Sequence, residues 1–210
     1  MKDIIEELKH RGLIYQITNE KVIREKLKTK SVVVYCGFDV TAPSFHLGNL
    51  LPILALRRYQ MFGHAPIALI GGGTALIGDP AGKTKERSLT SIENVEIWKE
   101  KLKKQLQHLL DFETKINPAK IVDNFEWLSK LDLISFLREY GKHVQISQMI
   151  SKEWIKERIS SSGISFAEFS YMILQAIDFL KLYEKENCEL QIGGSDQWGN
   201  ITLGVDLIRK

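Results

Sequence analysis

Three residues in the segment "FAEFSYMILQAIDFLKLY", Tyr171, Gln175 and Asp178, stand at i, i+4 and i+7. On an α-helix that spacing stacks them along one face. The stripe can form hydrogen bonds, carries no Lys or Glu before Lys181, and is flanked by Phe169, Met172, Ile173, Ala176, Ile177 and Leu180. The wet side of an amphipathic helix is one account of it. The wall of a small-molecule pocket suits a nearly uncharged polar stripe better. A carboxylate kept there needs a partner, and a phenol or an ammonium group on a ligand would serve.

A second group of candidates lies in "YCGFDVTAPSFHLGNL", Tyr35 to Leu50. An apolar β-branched run ends in Tyr35, Cys36, Gly37 and Asp39, and His46 to Asn49 open the next apolar segment. Where a strand hands over to a helix, unpaired N–H groups and the positive helix end favour phosphate. Gly48 would let a phosphate approach the backbone, and His46 could donate to it. A turn that uses Gly and Asn for their backbone freedom explains this stretch equally well. Further on, "GGGTALIGDPAGKTKERSLT" is an ordered or a mobile loop whose Lys83, Lys85 and Arg87 would suit a lid over phosphates.

The elements that must position these residues follow from periodicity. Strands are predicted at Ser31 to Phe38, Pro66 to Ile70, Lys120 to Asn124 and Glu189 to Ile192. Between them, a helix runs from His46–Asn49 through Leu50, Ile53, Leu54, Leu56 and Phe62. Another follows a Thr90–Glu93 capping box to about Phe112, helices fill Leu131 to Ile159, and a long helix runs from a Ser165–Glu168 capping box to about Glu186. Alternating strands and helices predict a parallel α/β sheet, with ligands beyond the carboxyl ends of its strands.

The chain has 210 residues, 44% hydrophobic and 26% charged, which is enough for one sizeable core. No apolar run can span a bilayer, and the start "MKDIIEELKHRG" resembles neither a signal nor a transit peptide, so the expectation is a cytoplasmic protein without a membrane partner. Cys36 and Cys188 are isolated, without metal-ligand spacing. The net charge of +3 permits a polyanionic partner but does not require one.

Four stretches, "YCGFDVTAPSFHLGNL", "GGGTALIGDPAGKTKER", "FAEFSYMILQAIDFL" and "LQIGGSDQWGN", closely resemble bacterial-type tyrosyl-tRNA synthetases, from "ELKHRGLI" to "NITLGVDLIRK". The resemblance implies a Rossmann-like class I synthetase catalytic domain over residues 1–210, with a mostly helical insertion at about 91–186 and further signature and anticodon-binding segments after Lys210. It also implies the reaction: tyrosine joined to ATP as tyrosyl-adenylate, then transferred to tRNA(Tyr), by a homodimer.

Residue by residue, the resemblance gives Tyr35 and Asp178 to the phenol, and Asp79, Tyr171 and Gln175 to the ammonium group. Gln191 and Gln197 fall near the carboxylate. Gly37, Asp39, Gly193 and Asp196 match nucleotide contacts, with Cys36 near the ribose and His46, Gly48 and Asn49 in the nucleotide-binding signature. Thr41, His46, Lys83 and Arg87 match groups that meet the departing pyrophosphate. The fourth signature position holds Asn49 where many relatives have His; its amide can donate the same neutral hydrogen bond. A carboxylate attacking the α-phosphate is already ionised, so catalysis would be positioning and charge stabilisation. Mg2+ would arrive on ATP, since no carboxylate cage is evident and no organic cofactor is expected. A tryptophanyl-tRNA synthetase-like enzyme and a non-catalytic amino-acid-binding module remain open alternatives.

Overall fold

The computed structural model describes residues 3–81 and 90–210. Its elements are α1 (Ile4–His10), α2 (Glu20–Thr29), β1 (Val33–Asp39), α3 (Leu47–Met61), β2 (Ala65–Gly71), α4 (Ile92–Leu109), β3 (Lys120–Asp123), α5 (Phe125–Leu128), α6 (Leu133–Ser135), α7 (Ile146–Ile150), α8 (Glu153–Ser160), α9 (Phe166–Glu186), β4 (Cys188–Gln191) and α10 (Trp198–Ile208). The four strands form a parallel sheet in the order β3-β2-β1-β4. The strand order reverses between β1 and β4, so the crevice beyond their carboxyl ends is the switch point.

Strand residues alternate between two apolar layers, as a sheet covered on both faces demands. Val34, Cys36, Phe38, Ala68 and Ile70 face a core shared with α1, α2, α3 and α4. Tyr35, Ile67 and Leu69 face a second core built with α9 and α10. In register, Tyr35 pairs with Gln191 and Asp39 with Gly71, which brings the site-bearing ends of three strands level.

Several boundaries differ from the sequence expectation. The first strand begins at Val33 and continues to Asp39, because Ser31 and Val32 are spent on closing bonds: Ser31 donates to the Gly63 carbonyl and the Val32 N–H to His64 Nδ1. The cap of α4 is Ser91, whose hydroxyl accepts from the Asn94 N–H, one residue beyond the expected Thr90. The stretch 131–159 is not filled by continuous helix. It breaks into α6, a π-turn at Phe136–Tyr140, a 3-10 turn at Gly141–His143, α7 and α8. No described helix is long and apolar enough to cross a membrane.

The long helix α9 carries the polar stripe, and its start is fixed twice. Ser165 and Glu168 make the expected reciprocal capping box. Glu168 also accepts from Arg158 Nη2 at 2.8 Å, and the two side chains are 4% and 5% exposed, so this ion pair is dry. Arg158 Nε donates to Ser162 and to the Gly163 carbonyl, tying α8 to the turn before α9. Breaking such a pair leaves a buried carboxylate without its cation, which costs about 3–5 kcal/mol. Arg158→Ala should therefore lower unfolding free energy by about that amount in denaturant titrations. A loss below about 1 kcal/mol would show that the pair is not what anchors the helix.

Candidate active site

Asp178, on α9, is 2% exposed. Its two oxygens accept from Asn124 Nδ2 at 2.9 Å and from the Trp127 indole N–H at 2.8 Å. Burial nonetheless outweighs these bonds and, with the charges of Asp39 and Asp123, pushes the Asp178 carboxyl up to about 8. Close enough to feel the Asp178 charge is Tyr35, fully buried, whose hydroxyl has no hydrogen-bond partner among the described residues. Burial first, and Asp178 second, raise the Tyr35 phenol well above its ordinary range. A dry hydroxyl left unpaired in a native core calls for an explanation, and a ligand is one.

The Tyr171 hydroxyl donates to Asp39 Oδ2 at 2.8 Å and the Thr74 hydroxyl donates to Asp39 Oδ1 at 2.7 Å. Thr74 in turn accepts from Asn124 Nδ2 at 3.0 Å. A second cluster centres on Asp79, which accepts from the Ala81 N–H at 2.9 Å and from Gln197 Nε2 at 2.7 Å. Burial and the neighbouring Asp39 charge push Asp79 up to about 6. Asn200 Nδ2 donates to Gln175 at 2.8 Å and to Gln197 Oε1 at 3.1 Å, and Gln197 also donates to Asp196 at 3.0 Å. Hydrogen bonds, sheet register and charge interactions thus link Tyr35, Asp39, Asp79, Tyr171, Gln175, Asp178, Gln191, Asp196 and Gln197. The Gln191 side-chain oxygen Oε1 is buried without a partner among the described residues, like the Tyr35 hydroxyl.

The "HLGN" signature is built as a helix cap. His46 Nδ1 accepts from the Gly48 N–H at 3.0 Å, and Asn49 Oδ1 accepts from the His46 N–H at 3.2 Å. With Nδ1 an acceptor, the ring proton of the neutral imidazole sits on Nε2. A Cβ at Gly48 would lie 2.8 Å from the imidazole Cε1, so glycine is what lets the ring fold back. His46, Gly48, Gly193 and Asp196 are exposed, and so is Thr41, whose N–H donates to the Asp39 carbonyl. Gly37 is exposed on β1. Cys36 faces the core shared with α3, its thiol pushed up to about 12 by burial and, secondarily, by Asp196. Lys83, Lys85 and Arg87 lie outside the described residues.

Sequence patterns do not single out Asn124, Trp127, Thr74 or Asn200. Asn124 and Trp127 follow the carboxyl end of β3 in "VDNFEW", and polar groups at that end of a parallel strand are where a site is built. Among the described residues no group of three or more His, Cys, Asp and Glu could hold a metal ion. A cleft of about 820 Å³ lies elsewhere, between the last turns of α3 and α4 around Arg57, Gln60, His108 and Asp111. None of the gathered groups lines it.

Known proteins share the sequence and the fold of this chain. A family described as tRNA synthetases class I (W and Y) matches residues 27–210. The tyrosine–tRNA ligase of Bacillus caldotenax is 57% identical over 208 residues, 99% of this chain and 49% of that protein. Tyrosine–tRNA ligase 1 of Bacillus subtilis is 54% identical, covering 100% of this chain and 50% of that one. The chain spans about half the length of the curated relatives it matches. Among solved structures, a C-terminally truncated mitochondrial tyrosyl-tRNA synthetase of Aspergillus nidulans superposes with a TM-score of 0.91 at 32% identity, over 100% of this chain and 61% of that one. The Archaeoglobus fulgidus tyrosyl-tRNA synthetase solved with L-tyrosine shares the fold, with a TM-score of 0.70 at 19% identity over 96% of this chain and 58% of that one. With a family match that leaves out only the first helix and part of the second, this chain belongs to the tRNA synthetases of class I (W and Y).

Proposed function

We propose that this chain is the tyrosine-activating portion of a tyrosine–tRNA ligase. The observation that carries the proposal is the pair Tyr35 and Asp178: a buried hydroxyl without a partner beside a buried carboxylate. A phenol can donate to Asp178 and accept from Tyr35 at once. An indole N–H can only donate, so tryptophan would leave the Tyr35 hydroxyl unsatisfied, and phenylalanine would satisfy neither group.

The ammonium group would sit among Asp79, Tyr171 and Gln175, all of which keep acceptor lone pairs beside their present bonds. Gln191 and Gln197 would then lie near the carboxylate of tyrosine. Attack of that carboxylate on the α-phosphate of ATP forms the C–O–P bond of tyrosyl-adenylate and releases pyrophosphate. No protein base is needed, because the attacking group is already ionised. Asp39, Gly193 and Asp196 would hold the nucleotide, with Cys36, Gly37, Gly48 and Asn49 around its ribose and phosphates. His46 and Thr41, both exposed, would meet the charge that builds on the departing pyrophosphate, and Lys83 and Arg87 would join them. A magnesium ion would come on the phosphates and balance their charge. Transfer to tRNA(Tyr), a cytoplasmic setting with ATP and tRNA, and a homodimer complete the proposal. For the last, Leu137, Ile146 and Ile150 are exposed on the helices from 131 to 166, whereas Phe136 and Met149 are taken up by the core.

The direct test is a titration with tyrosine, phenylalanine and tryptophan followed by tyrosine-dependent pyrophosphate exchange into ATP. Tyrosine should bind best and drive exchange. Preference for tryptophan would contradict the proposal, and tyrosine binding with no exchange in any longer form of the protein would reduce it to a binding module.

Asp178→Asn should lower the preference for tyrosine over phenylalanine about ten- to a hundredfold, the worth of one hydrogen bond to a charged group, with little change in phenylalanine affinity. An unaltered preference, read by calorimetry, would remove Asp178 from the site. Lys83→Ala should slow adenylate formation while tyrosine affinity stays within about twofold, because a group that meets only the leaving pyrophosphate acts in the transition state. Equal losses in both quantities would assign Lys83 a structural role.

A further inference from the structure

Thr74 has no assigned role, yet it stands where the two ends of the site meet. Its hydroxyl donates to Asp39 Oδ1 at 2.7 Å and accepts from Asn124 Nδ2 at 3.0 Å. Asn124 passes its other amide hydrogen to Asp178 Oδ2 at 2.9 Å, and its Oδ1 accepts from the Gly73 N–H at 2.8 Å. That backbone bond fixes which way the amide points, since an N–H can only be met by Oδ1. The result is one unbroken chain, Asp39 to Thr74 to Asn124 to Asp178, buried at its three inner members. Room for it is made by glycine: a Cβ on Gly71 would lie 2.2 Å from Asp39 Oδ1 and 2.5 Å from Thr74 Oγ1.

We propose that Thr74 is a positioning residue that couples the two ends of the site: through its hydroxyl, engagement of Asp39 by the nucleotide changes how strongly the Asn124 amide donates to the Asp178 carboxylate that holds the phenol. The inference rests on the assignment of tyrosine and nucleotide to these ends. Chains of this kind polarise link by link, so a change of partner at Asp39 alters how strongly Asn124 donates at the far end. Coupling of this sort is reciprocal: if nucleotide changes tyrosine affinity, tyrosine changes nucleotide affinity by the same factor.

The test compares the unsubstituted protein with Thr74→Val and Thr74→Ser, measuring the affinities of tyrosine and phenylalanine with and without a non-hydrolysable ATP analogue. In the unsubstituted protein the analogue should change tyrosine affinity. Thr74→Val keeps the shape but loses the hydroxyl; it should abolish that effect and reduce the tyrosine-to-phenylalanine preference about tenfold, the worth of one hydrogen bond in this setting. Thr74→Ser should restore both. General damage to the pocket would weaken both amino acids together and leave their ratio alone. A valine variant with unchanged ratio and unchanged nucleotide effect, or a serine variant as impaired as valine, would overturn the proposal. Failure of the unsubstituted protein to bind tyrosine would instead defeat the functional assignment beneath it. Should Thr74→Val not fold, the Trp127 indole N–H resonance of the unsubstituted protein decides the matter. It sits on Asp178 Oδ1 and should move when the ATP analogue alone is added; a fixed resonance would overturn the coupling.

Discussion

A carboxylate in a dry core is the constraint on which the rest of this site depends. Asp178 is out of reach of water, and burial raises its carboxyl to about 8 even though Asn124 and Trp127 both donate to it. Removing charge from water is costly unless donors surround it, and two donors do not fully offset that cost. A third donor, supplied by a ligand, would. Tyr35 repeats the same logic with the opposite need: a buried hydroxyl held ready for an acceptor. The two groups together describe a partner that both gives and takes a hydrogen bond.

Everything that holds Asp178 in place comes from a different part of the chain. Helix α9 presents it and is pinned at its start by the Ser165–Glu168 box and the dry Arg158–Glu168 pair. Asn124 and Trp127 come from the end of β3 and from α5, Tyr35 from β1, and Gln191 beside it from β4. The parallel sheet levels these ends because Tyr35 pairs with Gln191 and Asp39 with Gly71. A ligand bridging them would bind across the switch point between β1 and β4, as open parallel sheets favour.

Much of this was legible in the sequence, for reasons that can be named. Buried parallel strands read as apolar β-branched runs, and the four were found to within a few residues. The stripe Tyr171, Gln175 and Asp178 was visible because helical spacing is a local property, and its two ends are indeed buried polar groups. What stayed hidden was non-local. Nothing near Asn124 in the sequence points to Asp178, fifty-four positions away, and a Thr in a glycine-rich turn gives no sign that it joins Asp39 to the Asn124 amide. Thr90 and Ser91 are both competent caps for α4, and only the backbone geometry chooses Ser91. The apolar spacing of 131–159 reads as continuous helix because it persists through the turns at Phe136–Tyr140 and Gly141–His143, where Phe136 and Tyr140 pack against the second core.

The central claim, that Asp178 is a buried carboxyl waiting for a phenol donor, is tested most directly by titrating its side-chain carbon by carbon-13 NMR, first without ligand and then with tyrosine bound. The account predicts a midpoint of about 8 in the ligand-free protein. It further predicts that the midpoint falls when tyrosine binds, because a donated phenol hydrogen favours the charged form. A ligand-free midpoint in the ordinary carboxylate range, near 4, or one that tyrosine leaves where it was, would contradict the account.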